Sequence, residues 1–321
     1  MMLRSLLIRN NSSVKVMSFS TYKKVGVCGV GLLGHGIAQT AAEAGYRVAL
    51  CDTNDQAIEK GVQMIHSSLK KVAERNVKKG TMDAATGDKF VKDTLARIET
   101  KTTDLSAFAK SGCDLIVEAI VENVEIKNNY YKKMGSECPP ETVLASNTSS
   151  LSITELAKSS GRPAKVIGLH FFNPVQMMQL VEVISTPMTD PKVTATAFEF
   201  VKTLKKTPVD CKDTPGFIVN RLLVPFLAEA MAMVDRGDAK VEDVDTAMKL
   251  GAGMPMGPLY LADFIGLDTC LSILKGWKTK YPKESFFVPK GLEKLVAEGK
   301  LGRKSGEGYY PKSVWAPPKK N

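Results

Sequence analysis

The stretch that decides the fold is residues 23–52, which reads KKVGVCGVGLLGHGIAQTAAEAGYRVALCD. A short apolar run leads into three glycines in the pattern GxGxxG, namely Gly29, Gly31 and Gly34. An alanine-rich segment follows, and a second apolar run then ends at Asp52. This order of strand, glycine loop, helix, strand and acid predicts a nucleotide-binding βαβ unit. A glycine-rich turn without a ligand is the alternative.

Each of these positions has a physical reason in a dinucleotide site. Gly29 permits the tight turn, Gly31 lets a pyrophosphate approach the backbone, and Gly34 lets the helix pack closely on the strand. The N–H groups at the helix N-terminus favour the phosphates. Asp52 would accept hydrogen bonds from the adenosine ribose and repel a 2′-phosphate, which predicts NAD as the cofactor. The predicted cofactor loop also includes Val30, Leu32 and Leu33.

The remainder of the first half predicts a parallel sheet. Residues 54–102 are helical in composition and rich in lysine, which indicates a helical hairpin inserted into the strand–helix alternation. Its basic side chains are either a solvated face or a phosphate-binding one. Continuous apolar runs suit a parallel sheet covered on both faces. The runs that predict further strands span residues 113–121, 142–150 and 164–172.

After residue 210 strand signals become rare and long apolar helices broken by glycine and proline take over. We therefore predict an α/β protein with a Rossmann-type, doubly wound, mainly parallel sheet over residues 21–210. An all-helical C-terminal domain over residues 211–321 follows it. The apolar helix faces exceed what a domain of about 100 residues can hide, which favours a homodimer formed through that domain.

The segment Gly168–Pro174 reads GLHFFNP and contains one of only three histidines. His170 is either a buried core residue or a general base in a dry pocket. If the chain returns in a hairpin centred near Gln176, His170 lies directly opposite Glu182 and on the same face. A carboxylate there would bond one imidazole nitrogen and fix the tautomer.

Bulk composition narrows the class of partner. The chain carries 44 Lys and Arg against 34 Asp and Glu, a net charge of +10, without a nucleic-acid-binding signature. We expect an anionic small substrate and no nucleic acid. No apolar run approaches the ~18 residues of a membrane span, so we expect no integral membrane segment. Six scattered cysteines without a CxxC pair argue against a disulfide framework or a zinc site.

The first twenty residues differ from the rest of the chain. They carry Arg4, Arg9 and Lys15 without any acid, and leucines recur at helical spacing. Such a basic amphipathic stretch is typical of a mitochondrial presequence. We predict a targeting segment over residues 1–20 and a location in the mitochondrial matrix, with a disordered basic tail as the alternative.

Eight motifs in order resemble the short-chain L-3-hydroxyacyl-CoA dehydrogenases of mitochondrial fatty-acid β-oxidation. They cover about residues 23 to 311 and read GVGLLGHGIAQ, VEAIVEN, SNTSSL, GLHFFNPV, LVEVI, KDTPGFIVNRLL, GAGMPMGP and GRKSGEGYY. The resemblance implies that His170, paired with Glu182, takes the proton from the 3-hydroxyl while hydride passes to NAD. It also implies that Ser149 and Asn220 hydrogen-bond the substrate near the reacting carbon.

The resemblance further implies binding residues. Coenzyme A would contact the helical hairpin at Ser68 and at Arg75, where the family has a lysine. Arginine keeps the charge but binds phosphate with a different geometry. The residues implied to help hold NAD beyond the glycine loop are Glu122, Lys127, Ser149, Asn173 and Lys304.

Several alternatives remain open at this point. A reductive acetoacetyl-CoA enzyme would prefer NADPH, which Asp52 disfavours. A non-catalytic structural relative would not need the complete set of catalytic residues. Ser149 could instead cap the helix that begins LSITEL, and Asn220 could be an ordinary exposed polar residue.

Overall fold

The structure, a computed structural model, describes residues 22–315. The predicted targeting segment over residues 1–20 lies outside the described residues. Two compact units divide the chain: residues 22–147 with 156–210, and residues 148–155 with 211–315. The second unit thus includes a short segment from the first half of the sequence as well as the predicted helical region.

Within residues 22–315 one sheet of eight strands has the order β3-β2-β1-β4-β5-β6-β7-β8. Strands β1 to β6 pair in parallel and β7 returns antiparallel to β6. This confirms the predicted Rossmann-type, mainly parallel sheet. The strands are β1 Lys24–Cys28, β2 Arg47–Cys51, β3 Ile98–Thr102, β4 Leu115–Glu118, β5 Val143–Ser146, β6 Val166–Phe171, β7 Leu180–Ser185 and β8 Thr207–Lys212.

Helices cover the sheet because the strands at its centre are apolar on both faces. Every residue of β1, β4, β5 and β6 is buried, so neither face of the central sheet can be left to water. The helices up to the last strand are α1 Gly34–Glu43, α2 Asp55–Lys78, α3 Ala84–Ala96, α4 Leu105–Ala109, α5 Val124–Glu137, α6 Ile153–Ser159 and α7 Pro191–Thr203.

The predicted helical hairpin consists of α2 and α3. Asn54 caps α2 by accepting the Ala57 N–H at 2.9 Å, and Asp83 caps α3 by accepting the Thr86 N–H at 2.7 Å. Such caps satisfy N–H groups that the first helical turn leaves without partners. The basic side chains of α2 lie on the face opposite its buried residues.

The prediction that the helical hairpin extends to residue 102 was wrong. Residues 98–102 form strand β3, which pairs with β2 at the edge of the sheet. Ile98 is buried and Thr100 and Thr102 are half-buried, and the charged residues between them, Glu99 and Lys101, are exposed. Charged side chains are common on edge strands because they discourage pairing with other chains. They also gave this segment the polar composition that suggested a helix.

The second unit is helical after β8, as predicted. Its core surrounds Trp277 and Leu274. Buried Asp245 accepts the N–H groups of Leu259 and Tyr260, each at 2.8 Å, and so caps the next helix. The helices are α8 Val219–Asp235, α9 Val241–Gly251, α10 Pro258–Ile265, α11 Leu267–Lys280, α12 Lys290–Ala297 and α13 Lys312–Trp315.

A second buried carboxylate organises the segment GRKSGEGYY. Asp263 accepts the N–H groups of Tyr309 and Tyr310, each at 2.9 Å. Burial raises the pKa of Asp263, and these hydrogen bonds oppose that rise. Within the described part of the chain, no helix is both long enough and apolar enough to span a lipid bilayer.

Candidate active site

The glycine loop joins β1 to α1 and has the close backbone contacts that its sequence predicts. Gly29 has φ +87°, and a Cβ there would lie 2.6 Å from the carbonyl oxygen of Ala119. A Cβ on Gly34 would overlap the carbonyl oxygen of Gly29. Since only glycine fits both positions, the loop can bring backbone N–H groups to a ligand.

Asp52 ties the end of β2 to this loop. Its Oδ2 accepts the Val30 N–H at 2.7 Å, and its Oδ1 accepts the Thr53 N–H at 2.7 Å. The carboxylate therefore has a fixed position beside the loop. Of the other two loop residues, Leu32 is exposed and Leu33 is half-buried.

A cavity of about 600 Å³ lies along these residues. Gly29, Gly31 and Asp52 line one part of it, and Ile120 and Tyr130 line another. A Cβ on Gly31 would meet no protein atom within 4 Å, so this residue faces open space. The cavity lies beyond the carboxyl ends of β1 and β2, where doubly wound sheets bind nucleotides.

Lys127 is part of a buried ion pair at the end of β4. Its Nζ lies 2.6 Å from Glu118 Oε1 and 3.0 Å from Glu122 Oε2. The Lys127 and Glu118 side chains are each 1% exposed, whereas that of Glu122 is 38% exposed. The structure thus brings the two predicted residues Glu122 and Lys127 together, around a carboxylate that the sequence analysis did not select.

Glu118 also receives hydrogen bonds from two neighbouring elements. The Ser146 hydroxyl donates to its Oε2 at 2.8 Å, and the Ile120 N–H donates to its Oε1 at 2.9 Å. Burial raises the pKa of Glu118, while the Lys127 ammonium and these hydrogen bonds act against the rise. A buried carboxylate requires partners of this kind.

His170 lies opposite Glu182 in the β6–β7 pair, as the hairpin argument predicted. Its Nδ1 is 2.7 Å from Glu182 Oε2, and the two residues are 5% and 0% exposed. The Phe172 ring lies 4.4 Å from the imidazole, centroid to centroid. The carboxylate fixes Nδ1 as the protonated nitrogen and directs Nε2 away from itself.

The turn after His170 is held by a buried lysine. Lys206 Nζ donates to the carbonyl oxygens of Val175 at 2.5 Å and Met178 at 2.7 Å. Asn173, the predicted cofactor residue of this turn, is exposed. It is therefore carried by a turn whose backbone is anchored to the protein interior.

Ser68 and Arg75 lie on α2, two helical turns apart and on one face. Ser68 is half-buried and Arg75 is exposed. A cavity of about 470 Å³ lies beside Ser68 and is also lined by Lys60 and Lys71. The ammonium groups and the hydroxyl make this surface suitable for an anionic ligand.

Three of the predicted residues belong to the second unit, namely Ser149, Asn220 and Lys304. Asn220 lies in the first turn of α8. Lys304 forms an ion pair with Asp268. The His170–Glu182 pair and the glycine loop belong to the first unit.

The capping alternative for Ser149 can be compared with the start of α6. The first N–H groups of that helix bond to Asp213, which accepts from Ile153 at 3.1 Å and Thr154 at 2.8 Å. Ser152 accepts the Glu155 N–H at 3.3 Å. These N–H groups therefore have partners other than Ser149.

Sequence reasoning missed Glu118, Ser146 and Asn147. Asn147 is buried, and its Oδ1 accepts the Phe171 N–H at 2.8 Å, next to His170 in the chain. The available signal for Glu118 was an acid inside the apolar run LIVEAIV. An ionised residue in such a run is costly unless it is paired, so this acid indicates a buried ion pair.

Comparison with known proteins agrees with this geometry. The family model for the 3-hydroxyacyl-CoA dehydrogenase NAD binding domain matches residues 24–214, and that for the C-terminal domain matches residues 216–312. The mitochondrial hydroxyacyl-coenzyme A dehydrogenase of Mus musculus is 50% identical over 289 residues, which is 90% of each chain. The Sus scrofa protein of the same name is 48% identical over 95% of this chain and 97% of its own.

A solved structure is similar over both units. The (S)-3-hydroxybutyryl-CoA dehydrogenase of Ralstonia eutropha has a TM-score of 0.83 and 38% identity, covering 90% of this chain and 99% of that chain. The glycine-loop cavity, the buried His170–Glu182 pair and these matches lead to one conclusion. The chain belongs to the 3-hydroxyacyl-CoA dehydrogenase family.

Proposed function

We propose that this NAD-dependent dehydrogenase oxidises the 3-hydroxyl of an L-3-hydroxyacyl-CoA with His170 as its general base. The observation that carries the proposal is the 2.7 Å contact between His170 Nδ1 and Glu182 in a buried position. With Nδ1 held by the carboxylate, the substrate proton goes to Nε2. Glu182 then stabilises the imidazolium that forms.

The chain's own residues fit the cofactor. The open space at Gly31 and the close contact at Gly34 form the cradle that a pyrophosphate needs. Asp52, fixed by the Val30 N–H, is placed to meet a ribose hydroxyl and to repel a 2′-phosphate. When bound, NAD supplies the hydride acceptor. The further residues proposed to hold it are Glu122, Lys127, Ser149, Asn173 and Lys304.

The proposal assigns the substrate contacts to two sets of residues. Ser149 and Asn220 hydrogen-bond the oxygens near C3, which orients the hydroxyl toward the base. Ser68 and Arg75 contact coenzyme A, supported by the neighbouring Lys60 and Lys71. Phosphates and a pantetheine chain suit a surface of this charge and polarity.

The domain roles follow the same reasoning. Residues 21–210 would bind NAD, and residues 211–321 would serve substrate binding and dimerisation. Exposed Leu222 and Leu250 in the second unit support a homodimer, which sedimentation analysis would test. The mitochondrial names of the mouse and pig relatives support import directed by residues 1–20 and a location in the matrix.

The function is tested by the absorbance of NADH formed from L-3-hydroxyacyl-CoAs of graded chain length. We expect turnover with NAD and weak or no turnover with NADP, because Asp52 repels the 2′-phosphate. A preference for NADP would favour the reductive acetoacetyl-CoA enzyme. Absence of NADH with every substrate would favour the non-catalytic relative and overturn the proposal.

The two glycines next to the cofactor cradle give a matched pair of variants. Gly31→Ala should leave the thermal midpoint unchanged, because its Cβ meets no protein atom within 4 Å. It should weaken NAD binding about tenfold or more, because that Cβ would occupy the space proposed for the pyrophosphate. Gly34→Ala should lower the midpoint, because its Cβ overlaps a backbone carbonyl. Calorimetric titration and thermal unfolding measure both effects. Wild-type NAD affinity in Gly31→Ala would contradict the proposed position of the pyrophosphate.

A further inference from the structure

Two cysteines face the dinucleotide cavity side by side. Cys28 is the last residue of β1 and Cys51 is the last residue of β2, and the two are direct partners in the parallel ladder. Both thiols are reduced and both residues line the cavity of about 600 Å³. Directly paired side chains project from the same face of a sheet.

The spacing of the strands suits a bond between the two sulfurs. Adjacent strands lie about 4.8 Å apart, within the range of about 4.4–6.8 Å that Cα atoms span across a disulfide. Interaction between the two neighbouring thiols lowers the pKa of Cys51 and raises that of Cys28. The lowered pKa favours Cys51 as the nucleophile of the pair, because thiolates react and thiols do not.

Three of the other four cysteines, Cys113, Cys138 and Cys270, have a different setting. Burial raises the pKa of Cys138 to about 11 and that of Cys270 to about 12. Burial also raises the pKa of Cys113, whose sulfur lies 3.3 Å from the Ser111 hydroxyl. None of these three lines the dinucleotide cavity. They serve as internal controls.

We propose that Cys28 and Cys51 form a peroxide-sensitive dithiol inside the dinucleotide cavity, shielded when NAD is bound. The inference rests on the proposed function in one respect, that NAD fills this cavity. Both residues are at most 5% exposed, so only a small oxidant that enters the cavity can reach them.

The chemistry uses hydrogen peroxide as the oxidant. The Cys51 thiolate attacks one peroxide oxygen, the O–O bond breaks, and Cys51 sulfenic acid and hydroxide form. The hydroxide becomes water by taking up the proton that the Cys51 thiol released on ionising. The Cys28 sulfur then attacks the Cys51 sulfur, so that an S–S bond forms and the S–O bond breaks. The hydroxyl leaves as water with the Cys28 proton. Two thiols are oxidised by two electrons, and one peroxide is reduced to two waters.

The test is peroxide treatment of the folded full-length protein, denaturation in N-ethylmaleimide to block the remaining thiols, and non-reducing tryptic mass spectrometry. Cleavage after Lys24, Arg47 and Lys60 places Cys28 on peptide 25–47 and Cys51 on peptide 48–60. We expect a disulfide to join these two peptides. Cys270 should be recovered as its N-ethylmaleimide adduct, because peroxide leaves it reduced. NAD at about 100 times its Kd should slow the linkage about 100-fold, because only the empty site reacts.

Cys28→Ala is the control variant, because it keeps Cys51 and removes its partner. The effect of NAD on the linkage is measured in the wild-type protein and does not depend on this variant. In this variant we expect no linkage and a sulfenic acid at Cys51 that dimedone traps when the protein is denatured in its presence. Failure of the two peptides to link in protein that binds NAD and turns over would overturn the inference alone. Linkage that bound NAD does not slow would overturn the shielding. Linkage in protein that binds no NAD calorimetrically would support the dithiol and overturn the proposed cofactor site.

Discussion

Replacing His170 with Gln should lower kcat by about 10²–10⁴-fold, which is the contribution of a general base in proton transfer. Glutamine can still donate a hydrogen bond to Glu182, so the buried carboxylate keeps a partner. It cannot take up the proton of the substrate hydroxyl. Initial rates of NADH formation at saturating substrate measure the loss, and a fluorescence titration should return an unchanged Kd for NAD.

His66→Gln is the matched control for this variant. His66 lies on α2 and is half-buried, and no role in the site is assigned to it. The kcat of His66→Gln should equal that of the wild type. If His170→Gln also retained full turnover, His170 would be a core histidine and the proposed base would be wrong.

Lys127→Met should destabilise the first unit by about 3–5 kcal/mol, because it leaves Glu118 buried without its ammonium partner. The Lys127 and Glu118 side chains are each 1% exposed, so water cannot replace the lost interaction. Urea unfolding in the absence of NAD measures the change. The double variant Glu118→Gln with Lys127→Met removes both charges and should recover part of the loss.

The destabilisation should also depend on pH with a defined sign. Burial already raises the pKa of Glu118, and Lys127 opposes that rise. Without Lys127 the folded-state pKa lies further above the unfolded one, so the folded state binds the extra proton. Stability of Lys127→Met should therefore be best at low pH and fall as pH rises. A pH-independent loss, or an unchanged urea midpoint, would contradict the role assigned to the pair.

The glycine loop and the His170–Glu182 pair could both be predicted because each depends on short-range geometry. The spacing of Gly29, Gly31 and Gly34 determines a turn whatever the remainder of the fold. A hairpin centred at Gln176 has one symmetric register, and it places residues 170 and 182 opposite each other. Local constraints of this kind leave few alternatives.

The Glu118 cluster could not be predicted in the same way. Its partners Lys127 and Ser146 lie 9 and 28 residues away, on a helix and on the neighbouring strand. Only the strand order brings them to one point. Strand β3 was missed for a related reason, since an edge strand with charged exposed residues has the composition of a helix.

Two motifs that carried the family resemblance have structural roles within the second unit. In GAGMPMGP, Gly257 packs against Asp245, which caps α10. In GRKSGEGYY, Gly302 and Gly308 pack against Asp263. A family signature therefore marks folding requirements as well as chemistry.

The central claim, that the buried His170–Glu182 pair acts as the base, is tested most directly by single-turnover kinetics of Glu182→Gln. With enzyme in excess and NAD saturating, the rate of NADH formation in the single turnover reports hydride transfer without product release. We expect a rate lower than wild type, within the ~10²–10⁴-fold that general-base catalysis supplies, and an unchanged Kd for NAD. Single-turnover NADH formation at the wild-type rate would contradict the claim.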